Sequence, residues 1–357
     1  MKIAIVLGTR PEIIKMAPII RACVDNKADY FVLHTGQHYT YKLDRVFFEQ
    51  LQLPEARYNL DVGSGSHGEQ TGKILTGIER ILSQEKPDMV LVEGDTNSVF
   101  AGALAATKMG VKVGHVEAGL RSYDRSMPEE INRVLADHCA DLLFAPTPRA
   151  VEILLGEGIP KNKIHLTGNT IVDSVQQNLS LARSKTGIHA ALHISPGKYF
   201  LVTLHRQENV DNRERFAAIL EGLKRLAGIY STPVVYPVHP RSRKMLSQFN
   251  LSANGISMIE PVDFLEFLVL EADAGLILTD SGGVQEEACI LKVPCVTLRD
   301  NTERPETVEI GANIIAGASP DGIVECARNM LARKIEWTNP FGDGKAGERI
   351  LKIIKGE

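Results

Sequence analysis

Short apolar runs alternate with amphipathic stretches along almost the whole of this 357-residue chain. Segments 2–7, 30–34, 89–93, 112–116 and 142–145 read as strands, and 11–25, 41–51, 69–83, 98–108 and 129–136 as helices. A short continuous apolar run suits a strand covered on both faces, the situation in a parallel sheet whose crossovers are helices. A second series follows residue 168. Its strands are 200–203, 234–237, 257–259, 275–279, 295–298 and 313–315, with helices near 213–227, 241–248, 264–270, 284–291 and 320–332. A last helix, 345–355, follows the loop 339–344. The pattern predicts an α/β chain of two Rossmann-like doubly wound domains that join near residues 167–173. About 150 residues per domain gives the same count. In such sheets ligands sit outside the carboxyl ends of the strands, so two facing domains predict a site in the cleft between them. No repeat of fixed period and no low-complexity segment interrupts the pattern.

Forty basic and 44 acidic side chains nearly cancel, leaving a formal charge of −4. That argues against a broad electrostatic grip on nucleic acid or on an anionic membrane, while allowing a local anion site. The five cysteines form no CxxC pair, so a disulfide framework or a zinc knuckle is not expected and a reducing, cytoplasmic setting fits. The first residues are apolar for only five positions before Gly8, which reads as a strand and not a signal peptide. No apolar run approaches the roughly 18 residues of a membrane span.

Polar clusters stand just after the expected strands. Gly8-Thr9-Arg10-Pro11-Glu12, with Lys15 a turn on, is either a turn with solvated charges or an anion site at a helix N-terminus. Glu93-Gly94-Asp95-Thr96-Asn97 offers two carboxylates that either cap the next helix or act as acid and base. In His115-Val116-Glu117-Ala118-Gly119-Leu120-Arg121 the alternative to a functional Glu117 is a buried ion pair with His115. Pro128-Glu129-Glu130-Ile131-Asn132-Arg133 puts Glu129 and Arg133 four apart on one helix face, as a pair or as a site.

In the second half, His205-Arg206 can shuttle a proton or hold phosphate. Asp280-Ser281-Gly282-Gly283 opens a helix with free amides suited to a diphosphate, and Glu287 one turn on can accept both ribose hydroxyls. Arg299 and Arg304 add guanidinium near the same edge. Gly63-Ser64-Gly65-Ser66-His67-Gly68 matches G-x-G-x-x-G, but lacks the preceding buried strand that dinucleotide binding needs and reads as a loop. His67, His138, His165, His189 and His193 have no partner at metal-ligand spacing, so no metal site is expected.

Six of these words, in order, resemble the non-hydrolysing UDP-N-acetylglucosamine 2-epimerases. They are Gly8-Thr9-Arg10-Pro11-Glu12, Glu93-Gly94-Asp95-Thr96, His115 to Arg121, Pro128-Glu129-Glu130 with Asn132-Arg133, Asp280-Ser281-Gly282-Gly283 with Gln285-Glu286-Glu287, and Arg299-Asp300 with Thr302-Glu303-Arg304-Pro305-Glu306. The resemblance implies the GT-B fold: an N-terminal domain 1–168, onto which a terminal helix of about 344–357 packs back, and a UDP-binding domain 169–343, usually as a homodimer. It implies reversible inversion at C2, converting UDP-N-acetylglucosamine to UDP-N-acetylmannosamine for polysaccharide biosynthesis. The route is elimination of UDP, a 2-acetamidoglucal intermediate and re-addition, without nicotinamide, metal or other cofactor.

By the same resemblance Asp95, Glu117 and Glu129 are matched to proton transfer and His205 to the departing phosphates. Arg10, Lys15 and Arg133 line the cleft; Ser281, Gly282 and Gly283 cradle the diphosphate. Glu287 takes the ribose, Phe267 lies near uracil, and Arg304 closes the site. Bacterial members that their own substrate activates carry a second nucleotide-sugar site. Here Gln37, His38, Arg206 and His239 match it, but Tyr39-Thr40-Tyr41 replaces the rest, and Glu69 stands where an Arg is expected. The loop 122–127 is also shorter than the bacterial pattern. Alternatives remain: a 2-epimerase of a UDP-diacetamido sugar or uronic acid, a hydrolysing epimerase, a GT-B glycosyltransferase, or a non-catalytic nucleotide-sugar sensor.

Overall fold

The computed structural model describes the backbone of residues 1–37 and 41–357, and the side chains of residues 1–37 and 45–357. Contacts gather the chain into two units, Met1–Gln177 with Phe341–Glu357, and Asn178–Pro340.

In the first unit the order is β1 (Lys2–Leu7), α1 (Arg10–Asp25), β2 (Asp29–His34), α2 (Tyr41–Gln50), β3 (Tyr58–Asn59), α3 (His67–Glu85), β4 (Met89–Glu93), α4 (Asn97–Lys108) and β5 (Lys112–Val116). It continues with α5 (Pro128–Cys139), β6 (Leu142–Ala145), α6 (Pro148–Gly156), a short 3-10 turn (Lys161–Lys163), β7 (Ile164–Leu166) and α7 (Thr170–Lys185). The units part inside α7. Parallel pairing gives a seven-stranded sheet in the order β3-β2-β1-β4-β5-β6-β7. The winding reverses between β1 and β4, so their carboxyl ends flank the switch point where doubly wound sheets bind ligands.

The core is aliphatic. Ala4, Val6, Val90 and Val92 of the central strands meet Ile74 and Ile78 of α3 and Val99 and Ala103 of α4. α4 approaches the sheet closely: a Cβ on Gly102 would stand 3.0 Å from Val92 Cγ1. The turn after β1 is tighter still, since a Cβ on Gly8 would collide with the Thr35 and Ser98 hydroxyls.

The second unit runs α8 (Ile188–Ala191), β8 (Phe200–Thr203), α9 (Gln207–Val210), α10 (Arg213–Tyr230), β9 (Val234–Pro237), α11 (Pro240–Gln248), β10 (Ser257–Ile259), α12 (Phe264–Ala272) and β11 (Leu276–Thr279). Then follow α13 (Gly282–Leu291), β12 (Cys295–Thr297), α14 (Pro305–Glu309), β13 (Asn313–Ile315) and α15 (Pro320–Leu331). Its parallel sheet is ordered β10-β9-β8-β11-β12-β13, again with one reversal, between β8 and β11. Phe200, Val202, Leu276 and Leu278 pack under Phe216, Leu220 and Leu223 of α10 and Ile323 of α15.

The last helix, α16 (Ala346–Lys355), lies on α1. Gly347 permits the contact, because a Cβ there would fall 2.9 Å from the Pro18 carbonyl carbon. Its N–H donates to Asp173 Oδ1 at 2.9 Å, and Ile350, Leu351 and Ile354 are buried. The α/β alternation expected from the sequence is the observed architecture. The Gly63–Gly68 segment leads from a two-residue edge strand into α3 and carries no dinucleotide-type strand before it. Among the described residues, no helix is long and apolar enough to cross a membrane.

Candidate active site

In the first unit, the segments after β1, β4 and β5 bring acidic and basic side chains together at the strand ends. Glu93 closes β4, and Asp95 follows it across Gly94, whose φ of 86° only glycine adopts without strain. Glu117 follows β5 with φ 66°, a left-handed conformation that costs a non-glycine residue energy and that clusters at functional sites. Lys15 reaches over from α1, bonding Glu117 and standing 3.4 Å from Glu93. Asn169 Nδ2 also donates to Glu117 at 3.2 Å. Asp95 is paired with Arg133 of α5, and Asn132 Nδ2 donates to the Asp95 carbonyl at 3.0 Å. Each of the two carboxylates therefore has its own cation.

Glu93 is nearly inaccessible to water. Burial, and then the charges of Glu117, Glu12 and Asp95, push its carboxyl well above the usual range, against the pull of Lys15. A buried carboxyl in that setting keeps its proton. The linkage sign follows: the folded state holds a proton that the unfolded chain releases above about pH 4, so stability falls as pH rises through that window. Glu93→Gln, an uncharged isostere, is expected to remove up to about 1.4 kcal/mol per pH unit from that slope. Urea midpoints at pH 5 and pH 8 check it; parallel wild-type and variant curves would refute it.

Several expectations change in detail. The amides of the turn that leads into α1 are not open for an anion. Glu12 accepts from the Gly8 and Thr9 N–H groups and from the Thr96 hydroxyl, and burial pushes its carboxyl up to about 7 against those donors. Arg10 lies over the Phe47 ring, 4.9 Å from its centroid. His115 pairs with Asp137 and not with Glu117. Arg133 pairs with Asp95 and with Glu130, while Glu129 is exposed in the first turn of α5. Glu130 holds the short 122–127 loop through the Ser122 and Tyr123 amides at 2.9 and 3.0 Å.

In the second unit, β8 and β11 are neighbours with Thr203 opposite Thr279, which sets His205 beside Asp280. Asp280 is fully buried and accepts from the His205 and Arg206 amides at 3.0 and 2.9 Å. Its other oxygen is 3.1 Å from His205 Nδ1. Burial alone would raise the Asp280 carboxyl, but His205 and these donors hold it below the usual range. The carboxylate fixes the proton on Nδ1 and turns Nε2 outward, as in other carboxylate–histidine pairs. The His239 ring lies 5.8 Å from that of His205 and accepts the Arg241 amide on Nδ1 at 3.2 Å. Burial, with His205 and Arg241, lowers its basicity, so Nε2 carries the proton of a neutral ring.

A cavity of about 220 Å³ adjoins these rings, lined by His205, His239, Pro261, Val262, Phe267 and Ser281 among others. Ser281 stands at the N-cap position of α13 without a side-chain capping bond, and the first two residues of the helix are Gly282 and Gly283. A Cβ on Gly282 would come no nearer than 3.7 Å to any neighbour, and one on Gly283 no nearer than 4.0 Å. Packing does not require glycine at either place; close approach of a ligand to the helix amides would. Arg304 pairs with the buried Glu286 at 2.7 Å. Glu271 of α12 is buried behind Glu287, and burial and then the Glu287 charge push its carboxyl well up.

The residues matched to a second nucleotide-sugar site divide between the two units. Arg206 and His239 flank His205 in the second unit. In the first, Gln37 accepts from the Ser98 amide and hydroxyl at 2.9 and 2.7 Å. His38 lies outside the described residues. Glu69 is exposed and paired with Lys73 at 2.7 Å.

The family model for UDP-N-acetylglucosamine 2-epimerase matches residues 21–355. The chain belongs to the UDP-N-acetylglucosamine 2-epimerase family. It is 56% identical to the UDP-N-acetylglucosamine 2-epimerase of Methanocaldococcus jannaschii, over 99% of both chains. The crystal structure of that archaeal enzyme, in complex with UDP-GlcNAc and UDP, superposes with a TM-score of 0.92 and full coverage of both chains. The UDP-2,3-diacetamido-2,3-dideoxy-D-glucuronate 2-epimerase of Pseudomonas aeruginosa is 42% identical over 99% of each chain. Membership of this family makes the chain an isomerase of the GT-B type. Sequence reasoning weighed Glu93 beside Asp95 as a cap or an acid–base group, but did not single out Asp137, Glu271 or the pairing of Glu286 as functional. Their partners lie on other elements, so spacing along the chain gave no signal.

Proposed function

We propose that this epimerase-family chain interconverts UDP-N-acetylglucosamine and UDP-N-acetylmannosamine by elimination and re-addition of UDP. What carries the reading is the pair of carboxylates at the ends of adjacent strands, Asp95 on Arg133 and Glu117 on Lys15. C1 of the sugar is an acetal carbon, so the C2 proton has no carbonyl to acidify it. A carboxylate removes it only as the C1–O bond breaks. The C2–H electron pair becomes the C1=C2 double bond of 2-acetamidoglucal, and UDP leaves with the C1–O pair. Protonation of C2 on the opposite face, with UDP oxygen returning to C1, gives the epimer. Two proton-transfer groups are needed, one for each face.

In this reading Asp95, Glu117 and Glu129 supply those groups, with Lys15, Arg10 and Arg133 orienting them. His205 and the α13 amides of Ser281, Gly282 and Gly283 stabilise the departing diphosphate. Phe267 and the cavity beside it take the uracil, Glu287 the ribose and Arg304 the closing contact. The similarity to archaeal relatives named for this activity supports the substrate. A homodimer belongs to the same reading.

The test is an NMR time course with UDP-N-acetylglucosamine in D₂O. Deuterium at C2 of both UDP-sugars is the expected result. Free N-acetylmannosamine with UDP would make the enzyme hydrolytic. No exchange with this substrate, but exchange with the UDP-diacetamido-glucuronate, would move the assignment to the Pseudomonas-type reaction, which the 42% identity keeps in view.

A further inference from the structure

We propose that His115 is a buried imidazolium that positions both proton-transfer loops, a role that rests on the reaction proposed above. The ring sits on β5 with no exposed surface. Nδ1 is 2.6 Å from Asp137 Oδ1, and Nε2 is 2.8 Å from the Gly94 carbonyl oxygen. A carbonyl oxygen only accepts, so Nε2 must carry a proton. The charge on Asp137 decides the other nitrogen. Its second oxygen accepts from Arg121 at 2.7 Å and from the Gly119 amide at 3.2 Å. A carboxyl held by a guanidinium and an amide is ionised, so Asp137 only accepts and Nδ1 donates to it.

The charge is balanced locally. Asp137 on α5 and Glu157 after α6 offset His115 and Arg121, and Arg121 bonds Glu157 at 2.8 and 2.6 Å. Glu93, Asp95 and Glu117 stand at the neighbouring strand ends, and His138 is 3.9 Å from Glu157. Burial opposes the charge on the ring, but Asp137 and the Gly94 carbonyl outweigh it and raise the ring's basicity.

The two bonds end on the segments that matter. Gly94 immediately precedes Asp95, and its carbonyl is fixed by Nε2. Through Asp137 the ring also fixes the Gly119 amide, two residues beyond the strained Glu117. Loss of the ring's proton would set an imidazole lone pair against an acceptor and release one of the two anchors. Because the folded ring binds its proton more tightly than a free one, the anchoring holds below its elevated pKa and is lost as pH rises through it.

The experiment uses the full chain labelled with ¹⁵N at histidine, with His115→Gln to assign the signal. Two protonated ring nitrogens for His115 at pH 7.5 are expected; a neutral tautomer there overturns the proposal. Asp137→Asn should neutralise the ring. Hydrogen exchange in peptides covering 94–98 and 117–122 should then quicken at least tenfold, and kcat should fall on the order of 10- to 100-fold with UDP affinity unchanged. Unchanged protection in those peptides overturns the positioning role. If Asp137→Asn does not fold, the wild-type alkaline limb decides: kcat must decline with the ring's titration, and a flat profile through it refutes the role. Wild type that exchanges no C2 proton would defeat the reaction reading, while the ring's charge and the loop protection are read without substrate.

Discussion

Asp95→Asn and Glu117→Gln should each abolish deuterium incorporation at C2 while leaving UDP affinity within about twofold. Removing one proton-transfer group typically costs on the order of 100- to 10,000-fold in rate. Both changes keep side-chain shape and take away only basicity. The neighbouring charges respond differently in the two variants. In Asp95→Asn, Arg133 keeps Glu130 at 3.2 Å. In Glu117→Gln, Lys15 keeps Glu93 at 3.4 Å and so favours ionisation of a carboxyl that is otherwise held neutral. A small rate rescue at high pH in Glu117→Gln alone would show Glu93 taking over as base. Turnover at the wild-type rate in either variant removes that residue from proton transfer.

Gly282→Asp and Gly283→Asp should have the complementary effect, a loss of UDP binding with little change in stability. A Cβ at Gly282 meets nothing nearer than Glu303 Oε2 at 3.7 Å, and one at Gly283 nothing nearer than Ser281 Oγ at 4.0 Å, so the added Cβ meets only ordinary contact. A carboxylate there would oppose a diphosphate at the helix N-terminus. One pair of like charges at about 4 Å costs roughly 4 kcal/mol at an effective dielectric near 20. After screening by solvent and by neighbouring cations, a rise in UDP Kd on the order of 100-fold is expected. Calorimetric titration with UDP and a thermal melt of the apoprotein read the two halves of this statement. Unchanged UDP affinity would move the diphosphate away from α13. A fall in Tm of many degrees would mean the glycines serve packing after all.

The sheets were legible because their central strands are buried on both faces and so are apolar without interruption. β1, β4, β8 and β11 fall where the sequence predicts them, and the clusters after them are the ones that meet in each unit. The edges of the first sheet were not legible, although β10 and β13, the edges of the second, fall where the sequence predicts them. β3 has two residues and β7 three, none of them fully buried, and their pairing is decided by neighbours. α7 was missed because its polar face dominates the string.

Within the site, residue type was readable and partnership was not. Arg133 and Glu129 are four apart on one helix, yet Arg133 binds Asp95, 38 residues away. His115 lies on β5, whereas Glu117 lies just beyond its end in a left-handed turn and meets Lys15, and Asp137, 22 residues on from His115, takes the ring. Pairings of this kind depend on which helix covers which strand end, which only the folded topology supplies.

The placement of α16 has a consequence for how the molecule is made. The first unit is assembled from two stretches of chain, with the whole of residues 178–340 emerging from the ribosome between them. Until residues 346–355 appear, α1 lacks the cover of Ile350, Leu351 and Ile354, side chains each worth about 1.5–3 kcal/mol when buried. The unit that begins first is therefore the one completed last, after a unit with a continuous chain has had time to fold on its own. A ribosome stalled short of residue 346 would expose a half-finished surface on α1, and that is where a chaperone has most to protect.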